Sequence, residues 1–363
     1  MIRPFDIRDV SVIQRLTARA RPLACELVAV DGVNPLRDAI RSYLGGGRDH
    51  AVVLVERDAD HDVEAFGVMY VLPNANGDSN GENGTAIHRR AALVLMAPHA
   101  QSDELAEAWM YLAQEFAVEA AQRGAHHIVA EAPEVGGEAE ALQGAGFVPL
   151  IQQDVLKLAN KPELGALPEV NGLREQTKDD EPLIKALHLR AAPKMTYQAE
   201  VSFDLLRATH RMDRGFVLMR GSELVAHVSV RQGKRGYGMH ALFRPDAERD
   251  ALPTLRLALA HLSSSRNWRP VYLTVRHYQS WMLPILDELG FVHMTSTMLM
   301  VRHTAVHVHH PVWSPVTAEA AAIKNTHSAS IHLESRASPS DGEGAYHEDA
   351  LSGAHDYART ANH

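Results

Sequence analysis

The chain spells one ending twice. "LQGAGFVPLIQQDVLKL" runs from Leu142 to Leu158, and "LDELGFVHMTSTMLMVR" from Leu286 to Arg302. Each reads as the end of an apolar helix, a Gly-Phe corner and a strand of β-branched and long apolar residues. The beginnings correspond as well. "MIRPFDIRDVSVIQRL" returns as "GLREQTKDDEPLIKAL", so that Ile2, Arg3, Asp9, Ile13 and Leu16 answer to Leu173, Arg174, Asp180, Ile184 and Leu187. The offset is 171 at this helix (174 − 3), 147 at two strand-ending prolines (245 − 98) and 144 at the corner glycines (290 − 146). An offset that drifts slowly while element order is kept marks a two-copy internal repeat whose loops have changed length. Each copy is domain-sized, so the fold must be one that two copies can adopt.

The elements of the first copy follow from local pattern. "IRPF" is a short extended piece, and Asp6 or Asp9 opens a helix carrying Val10, Ile13 and Leu16 at helical spacing. A second helix lies around Leu36 to Leu44 and stops at the glycines 45–47. "AVVLVER" and "AFGVMYVL" are strands joined by a polar turn with Asp58, Asp60 and Asp62, and Pro73 to Gly84 has loop composition. "AALVLM" is a strand ending just before Pro98. A long helix from about Asp103 to Arg123 presents Leu105, Trp109, Leu112, Phe116 and Ala120 on one stripe. "HHIVAEA" is a strand, Glu138 to Gly144 a short helix, and the repeated ending closes the unit.

Residues 161–169 have linker composition, after which the order restarts. A hairpin turns at Gly221, "YGMHALFRP" is a strand ending at Pro245, and a helix carries Leu252, Leu255, Leu259 and Leu262. "PVYLTVRH", a short helix and the second Gly-Phe corner complete the copy. The expected organisation is a unit over 1–160, the linker, a second unit over 170–304, and a disordered tail over 305–363 rich in Ser, Ala, Gly, His and acids.

Composition narrows the function classes. With 36 Lys plus Arg against 45 Asp plus Glu, the formal charge is −9 and no basic tract stands out, so nucleic acid is not an expected partner. The longest apolar runs fall well short of the roughly 20 residues a membrane helix needs, and "MIRPFDIRDV" has charges where a signal peptide would be apolar. A single cysteine, Cys25, excludes an internal disulfide, makes a reducing cytoplasm the expected compartment, and reads as a small buried hydrophobe.

Strand, helices, hairpin, strand, long helix, strand, short helix, Gly-Phe corner, strand: this order, twice over, resembles the GNAT superfamily of acyl-CoA-dependent N-acyltransferases. The resemblance covers nearly all of both copies. It implies an α/β fold, with a mixed sheet flanked by helices in each of two tandem units, and acetyl-CoA as the co-substrate. It also implies that the strand before the long helix splays from its neighbour and holds the pantetheine arm, while the pyrophosphate sits at the N-terminus of the long helix. Carried over by position, the cofactor-binding residues are Met96, Gln101 and Ala106 in the first unit and Phe243 and Gln279 in the second. The phosphate-loop pattern is partial: Glu104 stands where the family has Gly, and Glu248, Ala251 and Pro253 hold the three positions of the second copy. The family's proton-donating Tyr falls on Leu142 and Leu286, and its helix Asn on Val135 and, roughly, on Gln279.

Acyl transfer needs a base for the acceptor amine. Glu131 is the best placed carboxylate of the first unit, with Glu134 close behind; in the second, His240 lies on the strand before the long helix and His277 at the end of the following one. Tyr278 is the candidate for a displaced acid. For each, an exposed or hydrogen-bonded strand-end residue is the more ordinary reading. No metal site is expected: His303, His307, His309 and His310 cluster without an acidic or Cys ligand. Two functions stand side by side: an N-acyltransferase acting on a small-molecule or peptide amine in a ternary complex, with the first unit preferred as the CoA binder, or a catalytically inactive pair of units serving as a binding or scaffolding module.

Overall fold

Two short openings set the frame. In the computed structural model, which describes residues 1–45, 51–58, 63–72, 89–165, 170–194, 196, 214–263 and 268–304, Asp6 and Thr177 each cap a 3-10 turn, Ile7–Asp9 and Lys178–Asp180, by a reciprocal capping box. Asp9 takes both nitrogens of Arg3 at 2.7 and 2.8 Å and the Asp6 N–H at 2.9 Å. Asp180 takes both nitrogens of Arg174 at 2.7 and 2.6 Å and the Thr177 N–H at 2.8 Å. The residues paired by sequence at an offset of 171 thus build the same fork, and each carboxylate is buried.

The strands are β1 (Ile2–Pro4), β2 (Arg21–Pro22), β3 (Ala51–Asp58), β4 (Val63–Leu72), β5 (Arg89–Ala97), β6 (Ala125–Ala132) and β7 (Val148–Leu158) in the first repeat. The second has β8 (Leu173–Glu175), β9 (Arg214–Arg220), β10 (Glu223–Gln232), β11 (Tyr237–Phe243), β12 (Val271–Arg276) and β13 (Val292–His303). The helices are α1 (Val10–Thr17), α2 (Cys25–Asp31), α3 (Pro35–Leu44), α4 (Asp103–Gln122), α5 (Gly137–Gly144), α6 (Glu181–Ala191), α7 (Glu248–Ser263) and α8 (Leu283–Glu288). The sequence reading places nearly all of these and misses β2 and α2. The loop 73–84, the Asp60 and Asp62 turn positions, and everything from 305 onward lie outside the described residues.

All thirteen strands join one mixed sheet, in the order β1-β3-β4-β5-β6-β13-β7-β12-β11-β10-β9-β8, with β2 on β5. The final strands cross over. β13 of the second repeat lies antiparallel to β6 of the first, and β7 of the first lies antiparallel to β12 of the second. At the seam β7 meets β13, with Met298 opposite Gln152, Thr297 opposite Gln153 and Ser296 opposite Asp154. These pairs exchange under the repeat offset (298 − 154 and 296 − 152 are both 144), so a pseudo-twofold axis passes through Gln153 and Thr297, themselves 144 apart. On that axis the Gln153 Nε2–H donates to Thr297 Oγ1 at 3.2 Å in a buried setting.

The crossover explains why one ending is spelled twice. Gly146 (φ 86°) and Gly290 (φ 85°) adopt left-handed backbone that a side chain disfavours. Phe147 N–H and Phe291 N–H donate back to Leu142 and Leu286 carbonyls, both at 2.9 Å, while the glycine N–H groups bond to Gln143 and Asp287. This Schellman ending reverses the chain sharply, buries the Phe beside the helix and launches β7 or β13 into the seam. On one face α4 buries Trp109, Leu112, Phe116 and Ala120 against the sheet of the first repeat, and the Trp109 indole N–H donates to the Pro98 carbonyl at 2.7 Å. The corresponding core of the second repeat packs Ala251, Leu255 and Leu259 of α7 against β9–β12.

Candidate functional site

In both repeats the strand before the long helix leaves its parallel neighbour partway along. The β5–β6 ladder ends at Ala92 opposite Val129, and the β11–β12 ladder at Met239 opposite Leu273. Past those points each strand offers main-chain groups to a gap. With the offset of 147, Val94 and Met96 of β5 correspond to Ala241 and Phe243 of β11.

In the first repeat the chain fills this gap with itself. Arg21 and Pro22 pair antiparallel with Met96 and Leu95, Leu23 N–H donates to Val94 O at 2.8 Å, and Glu131 N–H donates to Leu23 O at 2.8 Å. Residues 21–23 therefore bridge β5 and β6 as a strand. The Cys25 N–H, at the start of α2, then donates to Glu131 Oε2 at 2.7 Å. Met96, expected to face pantetheine, faces Arg21. Glu131, expected to be a base, is 3% exposed. Burial pushes its carboxyl above the ordinary range, opposed by the Cys25 N–H, the Gln153 amide and the charge of Arg276. It lines no open surface and holds the turn into α2, so its place is structural. Cys25 is buried and unpaired by disulfide, as expected, and burial pushes its thiol upward as well.

At the α4 N-terminus, Ser102 caps by accepting from Leu105 N–H at 3.3 Å, and Asp103 and Glu104 place carboxylates on the first turn. Gln101 is exposed, while Ala106 packs on the core of the first repeat. A cleft of about 490 Å³ lies alongside, lined by Arg15, Arg19, Glu64, Pro98, Ser102 and Glu104 among others. Two acids and a self-capped turn make this a poor cradle for pyrophosphate.

The second repeat treats the same two main-chain positions differently. Among the described residues no strand enters its gap. There the buried carboxamide of Gln279 lies against β11, and with its amide oriented so that both ends find a complementary group it donates to Ala241 O at 3.1 Å and accepts from Phe243 N–H at 3.1 Å. Gln279 sits in the 3-10 turn His277–Met282 and breaks its helical geometry (φ −119°, ψ 18°). Trp281 of the same turn meets the Phe243 ring edge-on, at 6.0 Å between centroids. His277 is exposed and Tyr278 half-buried.

His240 is the first residue of β11 past the ladder. It is half-buried, stands opposite Ser229 of β10, and lies 6.0 Å from the His188 ring of α6 and 6.5 Å from the His227 ring of β10. His227 Nε2 lies 3.0 Å from Gln176 Oε1. The same region takes a wall from the first repeat. Thr274, the first residue of β12 past the ladder, donates to Glu26 Oε2 of α2 at 2.7 Å, and Arg231 donates to Asp31 of α2 at 2.6 Å. Gly238 stays bare because a Cβ there would come within 2.8 Å of Glu26 Oε1. At the N-terminal end of α7, Arg244 pairs with Asp246 and Glu223, and Arg220 with Asp250; Pro253 interrupts the N–H series of the helix.

Sequence reasoning thus picked Gln279, Phe243, His240 and Tyr278 out of one neighbourhood. It missed Glu26, Thr274 and Arg231, brought together by α2 reaching the other repeat, and Trp281, on the same turn as Gln279. Among the described residues no group of three or more His, Cys, Asp or Glu side chains could hold a metal ion, and no helix is long and apolar enough to cross a membrane.

No protein-family model matches the chain, nor does any curated protein. Among solved structures it is similar to a GCN5-related N-acetyltransferase from Sphaerobacter thermophilus, at 15% identity over 85% of this chain and 97% of that one, with a TM-score of 0.50. It is also similar to a tandem GNAT protein from the clavulanic acid biosynthesis pathway, at 17% identity over 85% and 99% of the two chains, with a TM-score of 0.47. The first of these likenesses shows the fold: the chain shares that structure's arrangement of strands and helices, as the order of elements in its sequence implies.

Proposed function

We propose that this protein is an acyl-CoA-dependent N-acyltransferase whose working slot is the β11–β12 gap of the second repeat. The observation that carries the proposal is the pair of main-chain groups at Ala241 and Phe243, which are bonded by a carboxamide. A pantetheine amide presents the same donor and acceptor, so the gap has the chemistry to take that arm. The first-repeat gap does not fit, because Leu23 and Arg21 occupy the corresponding groups by main chain. This moves the expected CoA site from the first unit to the second.

In this reading the thioester supplies an activated acyl group. His240 at the mouth of the gap takes a proton from the acceptor amine as its nitrogen bonds to the acyl carbon, and Tyr278 returns a proton to the departing sulfur. The acceptor is an amine of a small molecule or peptide.

A second reading has its own observation: both gaps are filled by the chain, which is what a non-catalytic scaffold would display. Calorimetric titration with acetyl-CoA, followed by thiol release assayed over a panel of amines, separates the two. Binding near micromolar Kd and thiol release that falls at least ~100-fold in His240→Ala support the enzyme. No heat and no thermal shift at millimolar acetyl-CoA establish the scaffold.

A further inference from the structure

We infer that Gln279 is a built-in occupant of the acyl-CoA slot: its carboxamide holds the place of a pantetheine amide on β11 and must swing away before the co-substrate can dock. The inference rests on the functional reading above and deepens it, since it states what sets affinity at that site.

Parity along β11 comes first. Tyr237 N–H donates to Pro270 O, on the β12 side of the strand, so odd-numbered residues of β11 turn their main-chain groups toward β12. Ala241 O and Phe243 N–H are therefore the groups the gap strips of a strand partner. Buried main-chain groups left unbonded are costly, so something must satisfy them when no ligand is present. The first repeat uses a segment of chain tied into α2 on one side and to Glu131 on the other, which cannot leave without unmaking that part of the fold. In the second, among the described residues, one side chain meets these groups, with both ends of its amide at 3.1 Å in the orientation that satisfies them, on a turn whose backbone already departs from helical geometry at that residue. Releasing it requires rotation about side-chain bonds and no strand separation. The two repeats thus contain a permanent occupant and a removable one at equivalent positions.

The consequence is competition. Acyl-CoA gains the two β11 bonds only as Gln279 gives them up, so its apparent affinity is lower than the open slot would provide. Two neutral hydrogen bonds of ordinary net strength correspond to about a tenfold effect.

The test compares acetyl-CoA binding to the full-length chain and to Gln279→Ala by calorimetry, with amide hydrogen exchange read at Phe243. The expected result is roughly tenfold tighter binding by Gln279→Ala, faster exchange at Phe243 in the free variant, and recovered protection when acetyl-CoA is added. Gln279→Met keeps the side-chain length without the bonds; it should behave like the alanine variant, and it carries the test if alanine lowers the melting temperature too far. If the unaltered chain binds acetyl-CoA and both variants bind equally or more weakly, Gln279 is not a competitor and the inference fails while the acyltransferase reading stands. If neither the chain nor any variant binds, the acyltransferase reading fails and takes the inference with it.

Discussion

Replacing Glu131 separates a catalytic carboxylate from a structural one. Its Oε2 is the acceptor for Cys25 N–H at 2.7 Å, inside the sheet and 3% exposed. Glu131→Ala leaves that N–H buried without an acceptor, a cost of about 1–3 kcal/mol, and opens a cavity where the side chain was. Together these destabilise by about 3 kcal/mol or more. Glu131→Gln keeps an acceptor oxygen for Cys25 and removes the charge. Burial raises the carboxyl pKa in the folded chain above its ordinary 4.5. A raised carboxyl binds its proton better when folded, so the stability tied to it is full below about 4.5 and is lost as pH rises through the folded-state value. The Gln variant has no such loss. Urea unfolding at a series of pH values should therefore show Glu131→Gln gaining on the unaltered chain from pH 4.5 upward and then levelling off. The Ala variant should be the less stable of the two throughout. Acyl transfer by Glu131→Gln should stay within about twofold of the unaltered chain, on the reading that the carboxylate does no proton transfer. A folded Glu131→Gln variant without activity, or a stability difference that does not move with pH, would refute the argument.

Two further outcomes test the repeat itself. Asp9→Ala should cost about 2–3 kcal/mol through loss of the Arg3 fork and the Asp6 N–H bond, and Asp180→Ala the same within roughly 0.5 kcal/mol in denaturant titrations; widely different values would mean the two forks are not equivalent. The Arg174 side chain holds the Asp180 carboxyl below its ordinary 3.8, so the stability it provides is present above that pH and the penalty of Asp180→Asn should shrink as pH falls through and below it. A double-mutant cycle of Gln153→Leu and Thr297→Val should return a coupling of about 0.5–1.5 kcal/mol for the bond on the pseudo-twofold axis, and a coupling near zero would place no energy there.

What the sequence determined is whatever local spacing fixes. Asp6 with Asp9, and Thr177 with Asp180, stand three residues apart because a capping box needs that interval. Gly146 and Gly290 are glycines because the reversal needs left-handed backbone, and the stripe on α4 has the period of a helix packed on one side. From these the repeat and the element order could be read, and the fold followed through the family resemblance that order carries. Two features lay beyond that range. Which strand edge β7 and β13 would choose is a matter of partners more than a hundred residues apart, and alternation within a strand says which face is buried but not whose edge it joins. The contents of the two gaps were hidden for a related reason. A two-residue strand at Arg21–Pro22 has no period to detect, and an amide side chain reads the same in sequence whether it meets water, a ligand or its own main chain. Glu131 looked like a base on a strand end because its acceptor role toward Cys25 exists only once α2 is folded beneath it. Tertiary structure decided these points, because each depends on a main-chain group having lost its strand partner, and only the assembled sheet determines where that happens.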